Sequence, residues 1–512
     1  MKNLKFFGLM LSFALVITGT FMLSGCNANS FDAEKLTFND TFSYDGNKHI
    51  LEVEYEDVDL DVVYSTTIDG EYLPASNFNY VNAGTYDLYL KVSAEGYLDY
   101  VTSEPVSFEI TKKNADVDIQ NVVKLIEDKA NPDYAQVLPT TNAADVIVAG
   151  DNLNLTFTIG NKVGTQTAFV ASDVEPGDKY NIIPSYDNAN YNVTFNNAFV
   201  EIKDNVEVVN GNNTVYYSTF DNTIFADLEE DSVITIYKDF TYAGTTDEID
   251  VRLMAQDGTD YDFTLDLNGH SVAYRMTFTN RVSGSTFTTG KINVTVKNGS
   301  IGNTTTTDYG MTVFGNEDVV VNLENLSISG SSYGFSGNGY CEGATINAED
   351  CTFFGGEAGF YAPSKYTYEF KDCSFTGATG YYAKSGDQTF TNCEFVGTQS
   401  TYAAPTYNGS GSHSTGSAIV IDSAQGYKVP MNVVLNNCSF KSISGYAIEE
   451  YSTSKTENQE NCYATITVTD ANYVLVGKNK AVFSENYPND PEILEGVHQN
   501  DLETPAPTTP AE

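Results

Sequence analysis

The sequence predicts an all-β protein in which two β-sandwich domains precede a repetitive β-solenoid. Its 512 residues suffice for several domains and include 35 Tyr and 30 Phe, which favour strands together with abundant Val and Thr. Apolar and polar residues alternate with a period of two in the first part of the chain, as half-buried strands require. A short motif recurs through the second part, which indicates a solenoid of stacked repeats.

The first 25 residues are typical of a bacterial export signal. Lys2 and Lys5 precede an apolar stretch, Phe6 to Leu23, that is too short and wrongly flanked for a stable membrane span. The stretch ends in Leu23-Ser24-Gly25-Cys26, which resembles a lipobox, the motif whose cysteine takes a diacylglycerol. The resemblance implies a lipid anchor at Cys26 on the extracytoplasmic side of a bacterial cell membrane, with residues 26–34 as a tether. The alternative is an ordinary secretory signal followed by a chance cysteine.

The chain carries 69 acidic against 26 basic residues, a formal charge of −43. Such a surface repels nucleic acid, and polyanionic glycans such as pectin would need a local basic site. Only three arginines are present, Arg252, Arg275 and Arg281. The partners we expect are therefore the membrane, through the lipid anchor, and a polysaccharide or a surface protein of a host or neighbouring cell.

Residues 35–112 predict a β-sandwich of short strands. Asp45-Gly46 marks a turn, and Gly84 to Val92 alternates strictly between polar and apolar side chains. The segments FSYDGNKH, AGTYDLYLKVSAEGY and FEITKK resemble bacterial Ig-like repeats of cell-surface proteins. A second, weaker Ig-like copy is expected at residues 113–203. The resemblance implies two spacer domains, with ligand binding as the less favoured alternative.

One sequence template recurs after residue 204. An Asn or Asp is followed by a small or apolar residue, a small or polar residue, and then Ile or Phe. The Asx positions are Asn268 in a looser first copy and then Asn298, Asn325, Asp350, Asp372, Asn392 and Asn437. The apolar positions are Ile301, Ile328, Phe353, Phe375, Phe395 and Phe440. In a second template a small residue precedes a large apolar one, at Met311, Phe335, Phe360, Tyr381, Ile419 and Ile448.

The compact copies recur every 20–27 residues, with two or three strands in each. This is the pattern of a right-handed parallel β-helix, which we expect at residues 204–482. Equivalent residues should form columns along its axis, and the Asx residues should occupy turns with left-handed backbone. These features resemble the pectate-lyase-like superfamily, including its non-enzymatic surface members. The resemblance implies a fold but no particular activity.

Four cysteines occupy the position directly after the Asx residue, namely Cys351, Cys373, Cys393 and Cys438. Exported proteins commonly form disulfides. Equivalent cysteines in successive repeats, however, most simply form a buried column of reduced thiols, which is the interpretation we favour. Cys341 and Cys462 lie outside the template, and the sequence leaves their state open.

The sequence contains no evident catalytic set. Polygalacturonase-like motifs are missing, and Asn268-Gly269-His270 is interpreted as a turn. Asp350 and Asp372 are expected on adjacent turns, where a ladder of turn residues is the favoured interpretation and a bound calcium ion is the alternative. No other cofactor is expected.

Three residues are candidate ligand contacts. If Phe360 and Tyr381 point into the core, strand alternation turns Tyr361 and Tyr382 outward. Exposed, stacked tyrosines suit a glycan or a protein ligand, although packing beneath a loop is the slightly favoured alternative. The third candidate is His413, which lies in a Gly/Ser-rich insertion.

The sequence as a whole predicts a binding or adhesion protein at the cell surface, because repeat-forming residues are plentiful and a catalytic set is not evident. The alternative is a carbohydrate-active enzyme, either a polysaccharide lyase or a glycoside hydrolase. Residues 483–512 are acidic and proline-rich and are expected to be disordered.

Overall fold

The computed structural model describes residues 28–226, 228–241, 250–305, 307–403, 414–422, 431–451, 464–475, 482–484 and 498–499. This part of the chain is all-β, with one four-residue α-helix, α1 (Ala143–Val146). Short 3₁₀ turns lie at Ala33–Lys35, Ala75–Asn77, Ile126–Ala130, Pro132–Ala135, Ala171–Asp173 and Asn222–Phe225. The chain divides into two compact units. The first comprises the described residues up to Val123 with Ala130–Asp173 and Lys179–Glu201, and the second comprises Lys124–Lys129, Val174–Asp178 and the described residues from Ile202 onwards.

Sixteen strands begin before residue 204. They are β1 (Asn29–Ser30), β2 (Leu36–Asn39), β3 (Thr41–Ser43), β4 (Glu52–Tyr55), β5 (Asp61–Ser65), β6 (Leu73–Pro74), β7 (Gly84–Ser93), β8 (Tyr97–Leu98), β9 (Tyr100–Val101), β10 (Val106–Thr111), β11 (Lys113–Val117), β12 (Val122–Leu125), β13 (Thr156–Lys162), β14 (Lys179–Ser185), β15 (Tyr191–Phe195) and β16 (Phe199–Lys203).

The longest of these strands, β7, confirms the strand predicted at Gly84 to Val92. Leu88, Leu90 and Val92 are fully buried at alternate positions, so one face of the strand packs into the core. β7 lies between β10 and β5, both antiparallel to it, in a six-stranded sheet ordered β3-β10-β7-β5-β6 with β9 added at β7. A four-stranded sheet has the order β12-β16-β14-β13, and three two-stranded sheets pair β1 with β8, β2 with β4 and β11 with β15.

The remaining described strands belong to the second unit. They are β17 (Val206–Asn210), β18 (Asn213–Tyr217), β19 (Ser232–Ile236), β20 (Asp250–Met254), β21 (Tyr261–Asp266), β22 (Ser271–Val272), β23 (Arg275–Thr279), β24 (Arg281–Ser283), β25 (Thr286–Phe287), β26 (Ile292–Asn303), β27 (Tyr309–Phe314), β28 (Val319–Gly330), β29 (Tyr333–Ser336), β30 (Glu342–Glu349), β31 (Thr352–Gly355), β32 (Ala358–Ala362), β33 (Lys365–Lys371), β34 (Ser374–Gly377), β35 (Thr379–Ala383), β36 (Asp387–Thr391), β37 (Glu394–Gly397), β38 (Ile419–Asp422), β39 (Asn432–Asn436), β40 (Ser439–Ser442), β41 (Ile448–Tyr451), β42 (Thr465–Thr469), β43 (Asn472–Leu475), β44 (Val482–Ser484) and β45 (His498–Gln499).

From β30 onwards, each strand up to β41 pairs in parallel with the strand three places further along the chain. Three stacks result. Stack A contains β30, β33, β36, β39 and β42, stack B contains β31, β34, β37, β40 and β43, and stack C contains β32, β35, β38, β41 and β44. The long strands β26 and β28 extend through stacks A and B, whereas β27 and β29 continue stack C. The second unit is therefore a repeat-like, parallel-sheet structure.

Equivalent aromatic side chains form columns in the core between the stacks, as predicted. In stack B the Phe353, Phe375 and Phe395 rings are stacked with centroids 5.2 Å apart, and Phe440 follows at the same spacing. In stack C the Phe360 ring lies 4.2 Å from that of Phe335 and 5.1 Å from that of Tyr381. These spacings follow the separation of neighbouring strands, so each repeat covers the apolar face of the next.

The cysteine column is also confirmed. Cys351, Cys373, Cys393 and Cys438 are buried and unbridged, as is Cys341, whereas Cys462 lies outside the described residues. The thiols of the column donate to backbone carbonyls, such as that of Lys371 at 3.2 Å from Cys373 Sγ. The neighbouring Cys373 thiol, followed by burial, raises the pKa of Cys351, which keeps this thiol protonated and unreactive.

Candidate functional site

The Asx residues of the template occupy left-handed backbone, as predicted. The seven sequence-predicted positions have φ angles between 51° and 60°, and Asp470, which the sequence analysis missed, has 53°. Their side chains link successive turns, because Asn392 Nδ2 donates to Asp372 Oδ1 at 2.9 Å and Asn325 Nδ2 donates to Asn298 Oδ1 at 3.2 Å. The Asx column is therefore a structural ladder along the junction of stacks A and B.

Asp350 and Asp372 fall in this column on adjacent turns, with φ angles of 54° and 53°. The Asn392 amide and the Lys371 ammonium, 3.8 Å from Asp372 Oδ2, supply hydrogen-bonding and positive charge beside these carboxylates. Among the described residues, no group of three or more His, Cys, Asp or Glu side chains is arranged to hold a metal ion. The contacts at Asp372 thus fit the ladder interpretation, and calcium binding stays a prediction.

Tyr361 and Tyr382 point away from the Phe360 column, as alternation requires, but they do not form the exposed platform that a ligand would need. Tyr361 is 9% exposed and Tyr382 is fully buried. Their rings lie edge to face at 5.7 Å, in an outer cluster on stack C that also contains Tyr333 and Tyr451. Their burial contradicts the exposed, stacked pair and agrees with the favoured alternative, in which these tyrosines pack beneath other groups on the outer face. Their role as ligand contacts stays a prediction.

A buried ion pair lies beside Tyr382 on the same outer face. Lys384 Nζ is 3.4 Å from Asp422 Oδ2, and the two side chains are 1% and 0% exposed. The Tyr382 hydroxyl donates to Asp422 Oδ2 at 2.9 Å and lies 3.0 Å from the Tyr451 hydroxyl. Burial lowers the pKa of Lys384 despite its acidic partner, and burial with the charge of Asp422 raises the pKa of Tyr382. We call these four residues the buried polar cluster.

Glu449 forms a second buried polar contact on stack C. Its Oε2 accepts hydrogen bonds from the Thr415 and Ser417 hydroxyls at 2.5 and 2.6 Å, and its Oε1 accepts one from Tyr402 at 2.6 Å. Thr415 lies at the end of the Gly/Ser-rich insertion and Ser417 follows it, and the backbone amide of Thr415 also donates to Thr379 Oγ1 at 3.1 Å. The end of the insertion is thereby fixed against stack C by a carboxylate whose hydrogen bonds are well satisfied.

An open groove lies on the outer face of stack A, where no candidate site was predicted from the sequence. It has a volume of about 470 Å³, and we call it the groove. The groove is lined by Thr295, Asn322, Leu323, Glu324, Asn347, Ala348, Glu349, Glu369, Phe370, Lys371, Thr389 and Thr391. All of these residues belong to five neighbouring parallel strands, β26, β28, β30, β33 and β36. Their outward side chains therefore point the same way from one sheet surface.

Two columns of polar side chains form the floor of the groove. One contains Thr295, Asn322, Asn347, Glu369 and Thr389, and the other contains Glu324, Glu349, Lys371 and Thr391. Asn347 Nδ2 donates to Asn322 Oδ1 at 2.8 Å, and Asn347 Oδ1 is buried without a hydrogen-bond partner among the described residues. Lys371 forms an ion pair with Glu349, and both are more than half exposed. Hydroxyl, amide and carboxylate groups thus repeat at the strand spacing, as a ligand with regularly spaced hydroxyl or amide groups requires.

A sequence signal for the first column did exist. In five successive copies a polar residue stands three positions before the template Asx, as Asn322 does before Asn325. Outward-pointing side chains were predicted only next to the second template, which forms stack C.

Two candidate residues lie outside the described part of the chain, the lipidation candidate Cys26 and the ligand candidate His413. The described α-helix, α1, has four residues, so no helix that the structure describes has the length and apolarity of a membrane span.

No protein-family model matches the chain, and neither a curated protein nor a solved structure is significantly similar to it.

Proposed function

We propose that this chain is a lipid-anchored bacterial cell-surface protein that binds a glycan or a protein surface in the groove. The observation that carries the proposal is the pair of exposed polar columns over a continuous parallel sheet, with Asn347 at their centre. The groups of these columns that a ligand would meet directly include the Lys371 ammonium and the Glu349 carboxylate, both more than half exposed. Apolar lining residues such as Phe370 have their side chains in the core, so hydrogen bonding and charge would dominate recognition.

The proposed fold is that of two Ig-like spacer domains followed by a right-handed parallel β-helix similar to the pectate-lyase-like superfamily. The three-place strand pairing, the aromatic columns and the left-handed Asx turns support the β-helix. The antiparallel sheet around β7 supports an Ig-like sandwich.

The charge of the groove favours a neutral or cationic ligand. Three carboxylates, those of Glu324, Glu349 and Glu369, stand beside the single ammonium of Lys371, and the whole chain carries −43. A polyanionic glycan would be repelled by this field. Neutral polysaccharides and amide-rich protein surfaces are therefore the ligand classes that we expect.

Binding is tested with the full chain on arrays of neutral glycans, acidic glycans and host surface proteins. For any ligand found, Asn347→Ala should weaken binding by about tenfold, because the floor of the groove loses the amide that holds Asn322 in place. Asn432→Ala is the matched control, since Asn432 also lies on stack A and donates to Asp387 at 2.9 Å but does not line the groove. Equal losses in both variants would contradict binding in the groove.

A carbohydrate-active enzyme, either a lyase or a glycoside hydrolase, is the second candidate. The observation that favours it is the presence of Glu349, Glu369 and Lys371 in one concavity, since carboxylates and a basic residue are the groups that such reactions use. The side chains point from one sheet surface and do not face each other across a cleft, so binding is the preferred proposal.

Turnover separates the two candidates. The full chain is incubated with neutral and acidic polysaccharides in the presence of calcium, and new reducing ends and unsaturated uronate absorbance are followed. Product above a heat-killed control, abolished by Glu369→Gln but retained by the exposed control Glu109→Gln, would replace the binding proposal with an enzymatic one. No product on any substrate agrees with binding.

The anchor is tested independently of the ligand. Cys26→Ala should move the protein from the membrane fraction to the soluble fraction of its cell, because a lipidated chain has no other predicted attachment. Retention of the variant in the membrane fraction would contradict the anchor.

A further inference from the structure

The Lys384–Asp422 pair is an unusual element of stack C, because an ammonium and a carboxylate are both removed from water. The pair is formed across neighbouring parallel strands, in the register that continues from Ala383 and Ile421. Lys384 Nζ also lies 5.9 Å from the centre of the Tyr382 ring. Desolvating two charges is unfavourable unless their interaction compensates fully. A chemical state without charge is therefore favoured at this site.

We propose that Lys384 and Asp422 are joined by an isopeptide bond between Nζ and Cγ. Transfer of one proton from the ammonium to the carboxylate first gives a neutral amine and a neutral acid. The Nζ lone pair then attacks Cγ and a C–N bond forms. The C–O bond to the acid hydroxyl breaks, and this hydroxyl leaves as water with one proton from Nζ. The step needs no oxidant or other reactant.

The surroundings of the pair supply what this condensation requires. The distance of 3.4 Å from Nζ to Oδ2 holds the amine next to the acid, which lowers the entropic cost of the attack. The lowered pKa of Lys384 increases the fraction of nucleophilic amine. The Tyr382 hydroxyl donates to the Asp422 carboxyl, where it can stabilise the developing oxyanion, and it is hydrogen-bonded in turn to the Tyr451 hydroxyl, so the two can pass protons. Exclusion of water opposes the reverse hydrolysis.

A second buried lysine pair provides an internal comparison. Lys203 Nζ lies 2.6 and 2.7 Å from the two carboxylate oxygens of Glu207, and Tyr237 and Tyr216 also donate to this carboxylate. Burial raises the pKa of Glu207, but the hydrogen bonds from Lys203 and Tyr237 outweigh it and lower the pKa overall. Both side chains of this pair are 10% exposed, and the Lys203 ammonium is hydrogen-bonded to both carboxylate oxygens. The charged pair is therefore better solvated than Lys384–Asp422, and no covalent bond is expected between Lys203 and Glu207.

Mass spectrometry of the purified full chain tests the proposal without any variant. After denaturation and proteolysis, the peptides that contain Lys384 and Asp422 should appear as one branched species, lighter by one water than their sum. The peptides that contain Lys203 and Glu207 should appear separately. Recovery of the Lys384 and Asp422 peptides as separate, unmodified species would overturn the proposal.

Two tyrosine variants test the proton path. Tyr382→Phe preserves the ring but removes the hydroxyl, and it should lower the cross-linked fraction or slow its formation after synthesis. Tyr333→Phe is the matched control in the same outer cluster, because its hydroxyl donates to Glu357 instead, and it should leave the cross-link complete. Equal cross-linking in both variants would overturn the role of Tyr382. The proposal is independent of ligand binding in the groove, on the other sheet.

Discussion

Asn437 Nδ2 donates a hydrogen bond to Asn392 Oδ1 across 2.8 Å, from one turn of the second unit to the turn before it. Asn392 in turn donates to Asp372 at 2.9 Å. Both asparagines have left-handed backbone, with φ angles of 51° and 57°. Each Asx residue of this ladder therefore permits the bend between stacks A and B. Its side chain also forms a hydrogen bond with the Asx residue of the neighbouring turn.

These two roles are separable by substitution at Asn392. Asn392→Ala should destabilise the protein by about 1–2 kcal/mol, because the Cβ of alanine crowds the following carbonyl oxygen in left-handed backbone. Glycine adopts the same φ freely. The free energy of unfolding of Asn392→Gly should therefore stay within about 1 kcal/mol of that of the parent, which is what the lost exposed side-chain hydrogen bonds contribute. Unfolding monitored by circular dichroism measures the difference. A larger loss in the glycine variant than in the alanine variant would contradict the backbone argument.

The core and turns of the second unit were predictable because the template places one residue type at one position in every copy. A column such as Phe353, Phe375 and Phe395 requires only that copies stack in register, and the spacing of the Asx residues sets that register. The same argument identified the cysteine column. Prediction in these places needed no knowledge of distant contacts.

The outer faces were less predictable, because alternation shows only which way a side chain points. Tyr382 is buried by groups that come from other parts of the chain, including Asp422 and Tyr451. Lys384 and Asp422 are 38 residues apart with the insertion between them, so their pairing cannot be inferred from the regular spacing. The groove was not predicted for a different reason. Its polar residues lie on the strand before each Asx residue, and in the sequence they look like any strand face exposed to solvent.

The aromatic column gives a prediction about core stability. Phe375 is fully buried and stacked between Phe353 and Phe395, so Phe375→Ala should cost about 3–5 kcal/mol through lost burial and a cavity. Phe354→Ala is the matched control, because Phe354 is 44% exposed on a strand of the same stack, and it should cost much less. Denaturant titration of both variants measures the costs. Similar losses would show that Phe375 does not contribute through the core.

The cysteine column gives a prediction about thiol reactivity. In the folded protein, Cys351, Cys373, Cys393 and Cys438 should not react with an aromatic disulfide reagent, since they are buried out of its reach. In denaturant without reductant all four should react. Mass spectrometry of the labelled peptides identifies each thiol. Oxidised pairs among these four residues in the unlabelled protein would contradict the reduced column.

The Lys203–Glu207 pair gives a prediction about pH. The pKa of Glu207 in the folded protein lies below its ordinary value of 4.5, so its carboxylate contributes stability that is present above that value and is lost as the pH falls through the folded pKa. Glu207→Gln removes this titration and leaves Lys203 without its charge partner, so the variant should unfold at a lower temperature than the parent at neutral pH. The difference between their midpoints should shrink as the pH is lowered below about 4.5.

Other carboxylates titrate in the same range, and comparison of the parent with Glu207→Gln cancels their contribution. Glu56→Gln is the control, because Glu56 pairs with Lys35 and both side chains are more than half exposed, and an exposed pair contributes little. Thermal unfolding of the three proteins from pH 3 to pH 7 provides the measurement. A midpoint difference for Glu207→Gln that stays constant over this range, or grows towards low pH, would show that the carboxylate does not stabilise the fold in its ionised form.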